Sequence, residues 1–222
     1  MVELSVERRV LEANERLAAE NRRVFSASGV FVINLMSSPG AGKTSLLERT
    51  IENLKDRVRI GVIEGDIQSS RDAERVARKG VPAVQINTDG ACHLDGAMVR
   101  EAAGVLDLGD LDLLVIENVG NLVCPAEFNL GEDVKVMILS TTEGDDKPMK
   151  YPLMFQLSTV LLINKMDLLP YIDCDLGKIR TEARQINPGV TIFEVSCRTG
   201  QGLDQWYAWL EEQVRRARAG GR

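Results

Sequence analysis

The chain has 222 residues, of which 44% are hydrophobic and 27% charged, the balance of a folded protein able to bury a full core, so wholesale disorder is excluded. Lys and Arg number 27 against 33 Asp and Glu, and the net charge of −6 argues against a phosphate-backbone binder, because nucleic-acid affinity rests on a basic surface. No apolar run approaches the roughly 18 residues that a membrane span needs, and the charged N-terminus lacks the apolar stretch of a secretory signal, so no membrane role is expected and the cytoplasm is the expected compartment.

Residues 3–24 read as an amphipathic helix, with Val6, Val10, Ala13, Leu17 and Val24 at alternating four-three spacing and Glu20 interrupting the stripe. A helix ahead of the first strand packs on the outside of its own domain or against a partner. After residue 29 the pattern changes. Strands are predicted at 30–36, 58–64, 83–86, 111–117, 134–141, 160–164 and 191–195, and helices at 42–54, 71–78, 94–104, 149–157, 176–185 and 203–218. The strand runs are apolar without strict alternation, which predicts burial on both faces. The fold class is therefore α/β, a mostly parallel sheet with helices on both faces. In such folds ligands gather at the carboxyl ends of the strands.

The first strand runs into Ser37-Ser38-Pro39-Gly40-Ala41-Gly42-Lys43-Thr44 and then a helix. This is the Walker A pattern with Ser37 in place of the first glycine. Gly40 and Gly42 let the backbone curl so that successive N–H groups face one concavity, and the helix N-terminus adds partial positive charge. Lys43 reaches the β- and γ-phosphates and the Thr44 hydroxyl holds Mg2+. The expected nucleotide contacts here are Ser38, Pro39, Gly40, Ala41, Gly42, Lys43, Thr44 and Ser45. Serine at position 37 puts its own backbone angles in question, not the chemistry.

Asn164-Lys165-Met166-Asp167 follows a late strand and matches the N-K-x-D element of GTP-binding proteins. The Asp167 carboxylate is suited to guanine N1–H and its exocyclic amine, donors that adenine lacks there. Lys165 lays its stem along the base and Asn164 ties this loop to the phosphate loop. Ser196 and Cys197, after the last strand, resemble the final guanine-binding element, whose backbone N–H groups meet the base carbonyl; a plain turn is the alternative. Together these motifs assign GTP as the nucleotide. They divide the chain into an N-terminal helical extension, 1–28, and a P-loop GTPase domain, 29–222.

Asp66 and Glu117 end two strands and are the expected acids of the magnesium site, with Asp66 contacting the ion or positioning the attacking water; Asp72 is a weaker candidate. Glu117 stands where D-x-x-G elements have Asp, and Gly120 supplies the amide that senses the γ-phosphate. Lys43 and Asp66 are the expected catalytic residues. Asn121, not glutamine, follows Gly120, which predicts slow intrinsic hydrolysis.

His93 is the sole histidine and adjoins Cys92, while Cys124 follows Gly120 closely. Thiolate and imidazole suit Zn2+ or Ni2+, and the two loops are expected to leave neighbouring strand ends, so that Cys124 could join Cys92 and His93 in a candidate site. A Cys-His pair is otherwise often incidental, and a fourth ligand is open: water, a carboxylate, or a second subunit. Cys174 reads as an ordinary thiol.

The segments SSPGAGKT, VIEGD, CHLD, IENVGNLVCP, KPMKYPLM and INKMDLLPY together resemble the HypB family, GTPases that incorporate nickel during maturation of nickel–iron hydrogenase. The resemblance implies the SIMIBI class of P-loop GTPases, a GTP-promoted homodimer, and a nickel or zinc site at the dimer interface built from Cys92, His93 and Cys124. It also implies two partners, a HypA-like nickel protein and the hydrogenase large subunit precursor, with the N-terminal helix as the docking surface for the first. Some members carry an N-terminal cysteine motif or a histidine-rich stretch for nickel. No Cys or His precedes Cys92, so delivery rather than storage is expected. Alternative readings are a urease nickel chaperone, a cobalamin-enzyme G-protein chaperone, a P-loop kinase, and a metal-binding scaffold with an idle nucleotide site.

Overall fold

The computed structural model describes residues 6–66 and 79–220, and of residues 6–8 the backbone alone. The helix expected at 71–78, Asp72 and the side chain of Val6 lie outside the described residues.

The strands are β1 (Phe31–Ser37), β2 (Ile60–Asp66), β3 (Ala83–Asn87), β4 (Leu113–Glu117), β5 (Val134–Ser140), β6 (Val160–Asn164) and β7 (Thr191–Glu194). They form one seven-stranded sheet in the order β3-β2-β4-β1-β5-β6-β7, and every pairing is parallel. The helices are α1 (Val6–Ser28), α2 (Lys43–Leu54), α3 (Gly96–Ala103), α4 (Cys124–Glu127), α5 (Lys147–Lys150), α6 (Pro152–Leu157), α7 (Leu176–Ile186) and α8 (Leu203–Arg218), with 3-10 turns at Leu108–Asp110, Thr141–Glu143 and Met166–Tyr171.

The period of two along β1 shows why the sheet is covered twice. Phe31, Ile33 and Leu35 face a core shared with Leu46, Leu47 and Ile51 of α2 and Trp206, Leu210 and Val214 of α8. Val32 faces the other side, with Phe25 of α1, Val99 and Ala102 of α3, and Ile116 of β4. A third cluster joins Met36 and Met137 to Met154 and Phe155 of α6 and Ile179 and Ala183 of α7. All five residues of β4 and all five of β6 are buried, as runs without polar alternation require.

Three expectations are corrected. The apolar stripe of α1 is displaced by one position. Val10 and Val24 are about half exposed, whereas Asn14, Ala18, Asn21 and Phe25 are buried. Two asparagines turn inward because their carboxamides are satisfied: Asn14 Nδ2 donates to the Asn129 carbonyl at 2.8 Å, and Asn21 Nδ2 donates to the carbonyls of Gly96 at 2.8 Å and Leu130 at 3.0 Å. The expected stripe counted only apolar residues. The helix lies on its own domain, and Glu20, the expected interruption, pairs with Arg100 of α3. Second, the helix expected at 149–157 is two helices, parted at Tyr151, whose ψ of 52 leaves the helical region ahead of Pro152. Third, β3 and β4 are not neighbours, because β2 lies between them.

Candidate functional site

The carboxyl ends of β1, β2 and β4 open onto a cleft of about 440 Å³ lined by Pro39, Gly40, Gly42, Lys43, Thr44 and Ser45 from the phosphate loop, by Glu64, Gly65 and Asp66 from β2, and by 117–120 after β4. Gly40 and Gly42 have φ of 74 and 108, the left-handed backbone that curls the loop. A Cβ on Gly42 would meet Asn164 Nδ2 at 2.4 Å, so the loop has no space for a side chain there. Ser37 ends β1 in ordinary strand geometry, which answers the question of its backbone angles. Its buried hydroxyl accepts from Lys43 Nζ at 3.0 Å and donates to the Ser38 carbonyl at 2.6 Å.

Thr44 Oγ1 donates to Glu117 Oε1 at 2.8 Å, joining the loop to the acid that ends β4. A Cβ on Gly120 would lie 3.1 Å from Pro39, so segment 117–120 rests directly on the phosphate loop. Asp66, Glu117 and Thr44 thus share one cleft, as a magnesium site requires: hard oxygen donors beside a phosphate cradle. Ser38 and Ala41 also brace the loop. Ser38 Oγ bonds the Glu143 carboxylate, and Ala41 is buried with its carbonyl accepting from Asn164 Nδ2 at 2.9 Å. Glu64 also lines the cleft, although sequence reasoning did not single it out.

Beside the cradle lies a second hollow lined by Gly40, Gly42, Ser45, Asn164, Lys165, Asp167, Leu168, Cys197 and Arg198. Lys165 adopts φ 63, and its Nζ donates to the Gly40 carbonyl at 2.8 Å. Ser196, fully buried, donates from Oγ to Asp167 Oδ1 at 2.6 Å and fixes the carboxylate. Ser196 and Cys197, expected to turn their amides to the base, stand at this hollow. Ser196 N donates to the Gln201 carbonyl at 2.9 Å and Cys197 N to Asn164 Oδ1 at 3.1 Å, bonds that shape the loop. Arg49 of α2, missed from sequence, donates from Nε to the Cys197 carbonyl at 2.9 Å. Burial pushes the Cys197 thiol up to about 11.

Cys92, His93 and Cys124 come together. The Cys92 thiol donates to the Cys124 sulfur at 3.1 Å, His93 Nδ1 lies 3.6 Å from Cys92 Sγ, and the three potential ligand atoms all lie within 4.8 Å of one another. The loops carrying them leave β3 and β4, which β2 separates, so they meet above the end of β2. Gly65 permits this: a Cβ there would lie 2.7 Å from Leu94, which packs over the strand end. The His93 ring stacks on Phe128 with centroids 3.8 Å apart, and burial lowers its proton affinity while Asp95 and Glu127 oppose the shift. The contact with Cys92 raises the Cys124 pKa, and burial adds to it. Asn121 Oδ1 accepts from Val123 N at 2.8 Å and shapes the approach to Cys124. A soft divalent ion suits two thiols and an imidazole at this spacing, with a further position left for another ligand. Among the described residues, no helix is long and apolar enough to cross a membrane.

Comparison with known proteins gives a consistent result. The family described as CobW/HypB/UreG, nucleotide-binding domain, matches residues 31–194. Hydrogenase maturation factor HypB of Azotobacter vinelandii is 55% identical over 210 residues, 95% of this chain and 69% of the relative. The crystal structure of HypB from Helicobacter pylori in complex with nickel superposes with a TM-score of 0.87 at 39% identity, covering 91% of this chain and 95% of the other. The signal recognition particle receptor FtsY from Elizabethkingia anophelis shares the fold at a TM-score of 0.55 and 15% identity, covering 78% of this chain and 64% of the other. The fold is that of a SIMIBI-class P-loop NTPase.

Proposed function

The chain belongs to the HypB hydrogenase maturation factors of the CobW/HypB/UreG family, and from that premise we propose that it is a slow GTPase that binds nickel and delivers it during maturation of nickel–iron hydrogenase. The observation that carries the reading is the convergence of Cys92, His93 and Cys124 beside the segment 117–120 that rests on the phosphate loop. Nickel is the cargo, and zinc is the competing ion for the same donors.

The geometry supports the following division of labour. The loop 38–45 and the amides at the start of α2 receive the phosphates, and Lys43 leaves Ser37 to neutralise the terminal ones. Mg2+ supplies charge neutralisation at the phosphates when bound, with Thr44, Asp66 and Glu117 as the residues that would hold it or its waters. Asp167, held by Ser196, selects guanine, and Lys165 backs the base. Asp66, which lines the same cleft, is assigned to orient water. Cys92 and Cys124 bind the cargo as thiolates, and His93 through a ring nitrogen. In this reading GTP promotes a homodimer that completes the metal site, a HypA-like nickel protein docks on α1, and the hydrogenase large subunit precursor receives the metal. The cytoplasm is the proposed setting, since a reducing compartment keeps the adjacent thiols unpaired.

The test is a Ni2+ titration of the full chain with GDP and with a non-hydrolysable GTP analogue, for wild type and for Cys92→Ala. The expected result is one tight site that the substitution removes and whose affinity differs between the nucleotides. Binding that ignores both the substitution and the nucleotide refutes the reading.

A further inference from the structure

Behind the sulfur–imidazole cluster runs a chain of buried polar groups. Asn118 Oδ1 accepts from Leu94 N at 3.1 Å and from Val119 N at 2.9 Å, while its Nδ2 donates to Asn34 Oδ1 at 3.2 Å. Asn34 Nδ2 donates to Glu132 Oε1 at 3.3 Å, and Glu132 Oε2 accepts from Leu130 N at 2.6 Å. Lys135 Nζ lies 3.8 Å from Glu132 and donates to the Ala126 carbonyl at 2.7 Å. Asn34, Asn118 and Glu132 are 0%, 1% and 4% exposed.

The two ends of this chain matter. Leu94 directly follows His93, so one end grips the loop of Cys92 and His93. Ala126 lies in α4, two residues past Cys124, so the other end grips the helix of the second thiol. Between them, Asn118 sits in the segment that lines the cleft: Glu117 accepts from Thr44, and Gly120 rests on Pro39. Carboxamides without water to fall back on hold one arrangement or exchange it for another, rather than deforming by degrees. A shift of segment 117–120 on the phosphate loop therefore moves the Asn118 carboxamide, and with it the Leu94 amide, while Lys135 keeps α4 tied to β5.

We propose that this buried chain, with Asn118 as its positioning residue, transmits the state of the nucleotide to the spacing between Cys92–His93 and Cys124. This rests on the functional reading above and adds the residues that do the coupling. Gly96 supplies the fixed side of the device. Its N–H donates to Asn14 Oδ1 at 2.7 Å and its carbonyl accepts from Asn21 Nδ2 at 2.8 Å, so the metal loop pivots between α1 and Asn118.

The test measures Ni2+ affinity of the full chain with GDP and with a non-hydrolysable GTP analogue, and takes the ratio of the two. Wild type is expected to give a ratio of about fivefold or more. Asn118→Ala and Lys135→Met are expected to bring it within about twofold of one, whereas Ile116→Val, a loosening of the same core, is expected to lower the melting temperature and keep the ratio. A wild-type ratio of one overturns the functional reading itself. A wild-type ratio preserved in Asn118→Ala overturns only the proposed relay. If Asn118→Ala fails to fold, hydrogen exchange in wild type decides: the Leu94 amide is expected to exchange about tenfold differently in the two nucleotide states. Equal exchange overturns the relay.

Discussion

The Thr44 hydroxyl donates to Glu117 Oε1 at 2.8 Å across the mouth of the nucleotide cleft. Its hydrogen is committed to the carboxylate, so the lone pairs of Oγ1 remain for a hard cation. In the proposed magnesium site Glu117 would thus orient a ligand as well as offer charge. Replacing Glu117 with Ala is expected to weaken Mg2+ support of nucleotide binding by about 10–100-fold, the usual effect of losing an outer-shell partner. A Mg2+ titration of the nucleotide-bound protein measures it, and an unchanged midpoint would remove Glu117 from the site.

Hydrolysis by the purified chain is expected to stay below about 1 s⁻¹. The carboxamide that follows Gly120 belongs to Asn121, and it is spent on Val123 N rather than offered to water. Lys43→Ala is expected to abolish turnover without altering the melting temperature by more than a few degrees, because the lysine lines the open cleft, where it bonds Ser37 Oγ at 3.0 Å, and is not part of the apolar core. A steady-state phosphate-release assay reading tens per second for wild type would contradict the assignment of roles.

Guanine selection is expected to depend on Asp167 and, more weakly, on Ser196. Removing the carboxylate leaves two guanine donors unpaired, so Asp167→Ala is expected to lower GTP affinity by about 100-fold or more. Ser196→Ala keeps the carboxylate but frees its orientation, and about tenfold is expected. Competition between GTP and ATP is the measurement. Equal loss for both nucleotides would show that the loop, not base recognition, had failed.

Features carried by a short run of residues were legible in the sequence. The glycine loop at 37–44 and the tetrapeptide at 164–167 state their chemistry locally, and the strands announced themselves by apolar runs. Features fixed by packing at a distance were not. Asn14 and Asn21 face the core because carbonyls at Gly96, Asn129 and Leu130 wait for them, and nothing near residue 14 or 21 says so. The strand order placed β2 between the two metal loops, so their meeting depends on Gly65, a residue with no chemistry of its own. Asn118 reads as a spacer between Glu117 and Gly120, and its four bonding partners are scattered from residue 34 to 119.

The four thiols are expected to differ in reactivity. Cys92 and Cys124 are partly accessible, whereas Cys197 is 8% exposed and its pKa is pushed up to about 11 by burial. The thiolate is the nucleophile, so Cys197 is expected to be alkylated by iodoacetamide at least about tenfold more slowly than Cys92 in the native chain. Added Ni2+ is expected to protect Cys92 and Cys124 and leave Cys174 unaffected. Peptide mapping after brief alkylation reads both results, and protection of Cys174 in place of Cys124 would move the metal site.

Acid stability is expected to hinge on Asp112, which joins the start of β2 to the end of α8. Its carboxylate accepts from Arg59 N at 2.8 Å and from Arg59 Nη2 at 2.7 Å, and it pairs with Arg218. Burial works to raise its pKa, but the Arg59 and Arg218 bonds outweigh it and hold the group at about 2, below the ordinary 3.8. A carboxylate depressed in the folded state contributes its full stability above the unfolded value and loses it as pH falls toward the folded one. The window is therefore pH 4 to 2, and the difference corresponds to at most about 2 kcal/mol, since both arginines reach into solvent. Asp112→Asn is expected to lower stability near neutral pH by about that amount and to flatten the acid limb in this window. Urea unfolding of both proteins at steps between pH 7 and 2 measures it, and parallel curves throughout would show that another carboxylate governs the acid transition.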